Sequence, residues 1–499
     1  MSFTAEFTDA RDMHLLDQIA EWVRTTPEKL AHISNDRRMT YGELGARSDA
    51  LAAWLDAELG ERRVPVAILG HKEPEMLITF LAAVKTGRPY VPIDVSTPTA
   101  RVERVMEVSE AGVLLTPEKV AAIPAGGSYE AARRVGENDP FYVLFTSGST
   151  GEPKGVVITL ANLNHYLGWM RGAHEFVPGG EVFLNHAPFT FDLSVHDIYL
   201  ALSTGGTIFS LTKETAADFR QLFEALRTCG ATQWMSTPSF AQMCMIERGF
   251  SAAMLPAMKR FFFCGETMAP ETGAQMLERF PGVEVWNTYG PTEATVAVTS
   301  VPVTRELIAE WNPLPIGRVM PGTQIIIRGE NGQPVPAGER GEIIIAGPNV
   351  SPGYLRRPDH TEKAFAPHEA TRCYRTGDWG RDRDGMIFCE GRMDNQIKLH
   401  GHRIELGDME SNLRDLDEIA DAVVLPVRKG DRVDSVAAFV VLSGPKQGSD
   451  FEQAAKLKTK LGERLPPYMV PRKFVFLDSF PMNANGKADR KQLAATIGQ

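Results

Sequence analysis

Cysteine is scarce: five in 499 residues, Cys229, Cys244, Cys264, Cys373 and Cys389, an odd number with no two spaced as CxxC. That excludes a disulfide framework, offers no zinc knuckle, and fits a reducing compartment. Long apolar runs are missing too, none approaching the ~18 residues that cross a bilayer. The start, MSFTAEFTDARDMHLL, lacks a basic segment leading into an apolar stretch. A cytoplasmic chain without membrane insertion is therefore expected. Positive charge is in deficit, 53 Lys and Arg against 63 Asp and Glu for a net charge of −10. This is the wrong sign for neutralising phosphate backbones, so no nucleic acid partner is expected.

Several motifs are absent. No two glycines stand two residues apart, which removes the GxGxxG of nicotinamide-binding Rossmann enzymes. There is no Walker GxxxxGK[ST], no GxSxG elbow and no HExxH, so the simplest NTPase and hydrolase readings fall away. What is present is an ordinary globular composition, 43% hydrophobic and 23% charged, long enough for two to four domains.

Residues 12 to 57 read as helices around a short strand, with Thr40 and Glu43 placed as a capping box. Strand-like runs at 64, 90 and 112 alternate with helical runs, the pattern of a parallel sheet. From about residue 323 short strands between Gly, Pro and Asn turns predict a β-rich, barrel-like subdomain. After residue 393 the chain restarts as a small α+β domain: two strands pair across the turn at 428 to 432, a helix spans roughly 450 to 464, and KFVFLDSF adds a strand. The expected fold class is α/β. A large N-terminal domain over residues 1 to 393 has αβα layers, and a small mobile domain covers 394 to 499.

The most informative stretch is Thr146-Ser147-Gly148-Ser149-Thr150-Gly151, followed by Lys154, directly after the strand-like FYVLF. Glycines let backbone N–H groups approach phosphate oxygens, hydroxyls donate further bonds, and a lysine adds charge, so this reads as a phosphate-binding loop rather than a bare surface turn. Further segments follow in order: NTYGPTE at 287, YRTGD at 374, GRMDNQIK at 391 and NGKADR at 485. Together these resemble the signature of the adenylate-forming superfamily, which includes adenylation domains of nonribosomal peptide synthetases, acyl-CoA synthetases and luciferase. FLNHAPFTFDLSV at 183, STPSF at 236 and FCGE at 263 resemble, more narrowly, the D-alanine ligases that charge a carrier protein.

The resemblance implies a set of roles. Lys487 would bridge the attacking carboxylate and the α-phosphate, Thr292 would bond that phosphate, and Glu293 would hold Mg²⁺. Thr146, Ser147, Gly148, Ser149, Thr150, Gly151 and Lys154 would steady the β and γ phosphates. Gly265, Glu266, Asn287, Thr288 and Tyr289 would line the nucleotide site, Tyr289 offering a ring face to adenine. Asp378 would accept from the ribose hydroxyls, with Arg392 beside it. Asp192 would pair with the substrate ammonium, although Asp before a helix is also a common N-cap. Cys264 would lie against the substrate α-carbon, and His196 follows FDLSV where it could line the same pocket. Asp394 would be the hinge about which the small domain swings.

The expected activity is ligation in two steps: ATP and D-alanine give an adenylate, and a separate carrier's phosphopantetheine thiol takes the aminoacyl group. Glycine, L-alanine, proline and small β-amino acids stay open as substrates. The carrier is expected to be separate because the chain stops shortly after NGKADR, and a monomer is the default. Two rivals remain. An acyl-CoA synthetase would have no use for Asp192, and a silent nucleotide-binding or carrier-docking protein would need none of Lys154, Glu293 and Lys487.

Overall fold

The computed structural model describes residues 13–497 apart from 147–151, 370, 395, 400–401, 430–431, 447 and 483–487. Two compact units are present. The first comprises Met1–Asp94, Ser109–Leu144 and Val156–Gly391, and the second Val95–Val108, Phe145–Gly155 and Arg392–Gln499.

The first unit holds three sheets. Six consecutive strands of a nine-stranded sheet run parallel, from Glu284–Tyr289 through Arg260–Phe263, Gln233–Ser236, Val182–Asn185 and Thr207–Ser210 to Leu30–Ser34. Antiparallel strands close both sides. In a second sheet Pro140–Thr146, Tyr90–Asp94, Val66–Gly70 and Val113–Leu115 run parallel, the pattern that the alternating strand and helix runs predict. Helices Pro74–Lys85 and Leu193–Thr204 are buried on almost every face, which marks elements packed between layers rather than on a surface. Pro74–Lys85 packs on strands of both sheets, and the Tyr199 hydroxyl of the other helix donates to the Tyr90 hydroxyl of the second sheet at 2.8 Å. One hydrophobic core joins these layers.

The predicted capping box forms: Thr40 Oγ1 accepts from the Glu43 N–H, and Glu43 accepts from the Thr40 N–H at 2.8 Å. The barrel-like expectation needs correcting. Gln324–Arg328, Gly341–Gly347, Thr371–Arg383 and Phe365–His368 form an antiparallel sheet in that order, with Met386–Arg392 also on Thr371–Arg383. The sheet is open, with no described strand joining its edges into a closed barrel.

In the second unit Ile419–Lys429 and Arg432–Leu442 pair antiparallel, and Lys473–Phe476 adds in parallel. The helix Asp450–Gly462 carries its own capping box, Ser449 with Glu452, and buries Leu457 and Leu461 in a core with Met409, Val424 and Val440.

Candidate active site

The segment Asn287–Glu293 leaves the nine-stranded sheet at the end of strand Glu284–Tyr289. Asn287 donates to the Pro315 carbonyl at 2.8 Å, and Thr288 to the Phe263 carbonyl at 3.0 Å. Both side chains thus fasten neighbouring backbone. Gly290 has no room for a side chain, since a Cβ there would sit 2.6 Å from Ala297 Cα.

A short 3₁₀ turn, Thr292–Ala294, follows, with Thr292 9% and Glu293 1% exposed. Glu293 Oε1 accepts from the Tyr354 hydroxyl at 2.7 Å, a residue the sequence reading missed. Next come Thr295 and Val296 at φ of 60° and 66°. β-branched residues avoid this left-handed region, so the backbone is strained immediately after the acidic residue. Asn349 holds it there. Its amide donates to the Ala294 carbonyl at 3.1 Å, its carbonyl oxygen accepts from Thr323 at 2.6 Å, and its backbone oxygen accepts from Thr295 at 2.8 Å.

Asp378 is 5% exposed and accepts from the Tyr289 hydroxyl at 2.5 Å. The two expected nucleotide residues are therefore in direct contact, and the Tyr289 ring is itself nearly enclosed, at 5% exposure. The strand carrying Asp378 shifts register between its pairings with Glu342 and Ile344, and Gly377 at φ 69° takes up the distortion. A bulge of this kind re-aims the side chain that follows it.

Cys264, at the end of strand Arg260–Phe263, is 1% exposed, and its thiol donates to the Val296 carbonyl at 3.8 Å. A Cβ on Gly265 would stand 3.6 Å from Phe191 and 3.5 Å from Thr237, so the FDLSV and STPSF segments converge here. Glu266 accepts from the Ser239 N–H at 3.1 Å. Asp192 is 4% exposed at the N-cap of helix Leu193–Thr204, yet its side chain makes no capping bond. Burial first, and then neighbouring charges that include Asp192, push the Tyr142 and Tyr166 hydroxyls well above their ordinary range. Cys264 acts on Tyr166 as well, so these groups share one neighbourhood. His196 is fully buried. Its Nδ1 is hydrogen-bonded to the Tyr166 hydroxyl at 2.7 Å, and its ring packs against Phe183 and Phe262. Burial pushes its pKa down to about 3, so it is a neutral core group behind Tyr166.

In the second unit Lys154 Nζ stands 3.9 Å from Glu405, and Thr146 lies across the base of the loop from Lys154. Arg392 grips Asp394 with two bonds, of 2.9 and 2.6 Å. Burial pushes the Asp394 carboxyl up, but the bonds and charge of Arg392, with the Gln396 N–H and the Arg403 charge, together leave the pKa lowered. Ser147, Gly148, Ser149, Thr150, Gly151 and Lys487 lie outside the described residues.

A buried carboxylate fastened by a tyrosine, a strained turn beside it, and an acidic residue beside a bulge thus lie together in the described part of the first unit. The chain belongs to the AMP-binding enzyme family, whose main domain it matches over residues 19–355 and whose C-terminal domain over 408–487. It is 43% identical over 504 residues to the D-alanine–D-alanyl carrier protein ligase of Bacillus cereus (strain B4264), spanning 97% of this chain and all of that one. Among solved structures it resembles the o-succinylbenzoate CoA synthetase of Bacillus subtilis, with a TM-score of 0.84, 23% identity, and coverage of 96% of this chain and 98% of that one. The adenylation domain AlmE of Vibrio cholerae, solved with glycyl-adenosine-5'-phosphate, gives a TM-score of 0.83 at 21% identity, covering 99% and 100%. No helix among the described residues is long and apolar enough to cross a membrane.

Proposed function

We propose that this protein activates D-alanine with ATP and passes it to the phosphopantetheine thiol of a carrier protein. The observation that carries this reading is the buried Asp192 carboxylate, which makes no helix-capping bond and lies in the FDLSV segment that converges with STPSF at Gly265. The ammonium of a small amino acid is a cation that a buried carboxylate accepts favourably. The identity to D-alanine–D-alanyl carrier protein ligases supports D-alanine among small amino acids.

In the first step a carboxylate oxygen of the amino acid attacks the α-phosphorus of ATP, and the bond to pyrophosphate breaks. Two anions must meet, so positive charge placed where charge develops supplies the main catalytic effect. Lys487 would bridge the carboxylate and the α-phosphate, with Thr292 donating to that phosphate. Thr146, Lys154 and the loop from Ser147 to Gly151 would hold the leaving group. Asp378, fixed by Tyr289, would accept from the ribose. Glu293 is a hard oxygen donor, buried and held by Tyr354, and so fits a divalent cation; Mg²⁺ there would offset charge shared between phosphates. In the second step the carrier thiol attacks the acyl carbon, loses its proton, and AMP leaves. We place the hinge between these steps at Asp394, the domain boundary near residue 393 and the mobile domain beyond it, a gating motion of a common kind.

Amino-acid-dependent exchange of labelled pyrophosphate into ATP tests this reading across D-Ala, L-Ala, Gly, Pro and β-Ala. D-alanine is expected to give the highest kcat/KM. Lys487→Ala should lower exchange by at least about a hundredfold with the unfolding temperature unchanged. No exchange with any amino acid would end the proposal.

A further inference from the structure

A second buried charge system lies beneath the amino-acid segment. Lys72, just beyond strand Val66–Gly70, is 1% exposed. Its ammonium donates to Asn185 Oδ1 and to the Ala187 carbonyl, and it stands 4.4 Å from the centre of the Phe189 ring. Asn185 sits at the hub. Its amide donates to Asp197 Oδ2 at 3.0 Å and to the Ala187 carbonyl at 3.2 Å, while Oδ1 also accepts from Ser210 at 3.2 Å. Ser210 continues to His32 Nε2 at 3.0 Å. Lysine and aspartate are thus coupled through an amide instead of touching.

The place of these contacts is what matters. Ala187 and Phe189 belong to the run from the end of strand Val182–Asn185 to Asp192. The rest of that run is tied down too: the His186 ring stacks on Phe240 at 3.4 Å, and the Phe189 ring meets Phe80 edge-on at 5.8 Å. The Phe191 N–H donates to the Pro188 carbonyl at 2.9 Å. An ammonium is an expensive group to bury, and a methylene chain with an apolar tip would fill the same volume at less cost. Its expense is matched by what it grips, a backbone carbonyl and a ring on either side of Pro188.

We propose that Lys72 is a positioning residue for amino-acid recognition: by holding the Ala187 carbonyl and the Phe189 ring it sets where Asp192 meets the substrate ammonium. The proposal rests on the amino-acid reading above. Lys72 is buried and acts through Ala187 and Phe189, so its removal is expected to act on amino-acid binding and leave nucleotide binding alone.

Lys72→Met by itself takes the ammonium donor from Asn185 Oδ1 and the Ala187 carbonyl beside Asp197, and should lower the unfolding temperature. The pair Lys72→Met with Asp197→Asn removes both ionisable groups from the pocket and should restore it. In this stability-matched pair the KM for D-alanine in pyrophosphate exchange is expected to rise about tenfold, with the KM for ATP within about twofold of wild type. Phe189→Leu, which keeps the segment apolar and every charge in place, should raise the same KM about threefold. A purely structural lysine would leave the KM for D-alanine at the wild-type value in the pair, and that result overturns the proposal. So does an equal rise in both KM values, or a wild-type KM in Phe189→Leu if the pair does not fold. Failure of the amino-acid reading appears separately, in the wild-type arm, as no exchange with any amino acid; the positioning role then falls with it.

Discussion

At the scale of single residues, Asp192 separates a helix cap from a ligand. A capping aspartate accepts from N–H groups of the first turn, and its loss costs about 1 kcal/mol. Asp192 makes no such bond, so the loss of a cap adds nothing to the cost of Asp192→Asn. The same change should raise the KM for D-alanine at least about tenfold in pyrophosphate exchange, because an amide cannot neutralise the ammonium. A large fall in unfolding temperature with unchanged KM would return Asp192 to the structural role. His196 shows what a sequence position leaves out: its place after FDLSV points to the pocket, and the structure adds that it is fully buried with Nδ1 hydrogen-bonded to the Tyr166 hydroxyl. Pattern alone cannot tell which face of a fully buried helix meets a cavity and which meets packing.

At the scale of elements, local chemistry was legible and distant chemistry was not. The Thr40–Glu43 box needs only residues three apart, and it forms. Strands such as GEIIIAG could be read from texture, but whether they close a barrel depends on register between strands far apart in sequence, and here the sheet stays open. Tyr289 and Asp378 could be assigned to one constellation from their motifs. That the tyrosine hydroxyl fastens the carboxylate, or that Tyr354 does the same for Glu293 from 61 residues away, has no local signal. Asn349 is the sharpest such case. It stands outside every motif, yet it holds the turn containing the left-handed Thr295 and Val296. Asn349→Ala should cost about 2–4 kcal/mol, since it leaves the Ala294 carbonyl and the Thr323 hydroxyl without their partner. Amide exchange over residues 290–298 should quicken, and kcat for pyrophosphate exchange should fall with little change in the KM for D-alanine. An unaltered exchange rate in that segment would contradict the assigned role.

For the whole molecule, buried titratable groups set the response to acid. Burial pushes His32 and His196 down to about 3 and His174 to about 4, from an ordinary 6.5. Between pH 6.5 and about 4.5 the unfolded chain therefore binds three protons that the folded chain refuses, and stability falls as pH falls. Two buried carboxyls act in the opposite sense: burial raises Asp197 to about 8 and Asp408 to about 6, so the folded chain holds protons the unfolded chain has lost. His165, which burial also pushes down, adds to the histidine side, so the net effect is loss of stability as pH falls through this window. The unfolding temperature measured between pH 6.5 and 4.5 should drop steadily; a flat or rising profile would contradict the assignment of these histidines as neutral core groups.

Four of the five cysteines are sealed inside the fold, and only Cys389 is partly open. Cys389 is thus left as the natural position for attaching a single reporter dye to the folded protein.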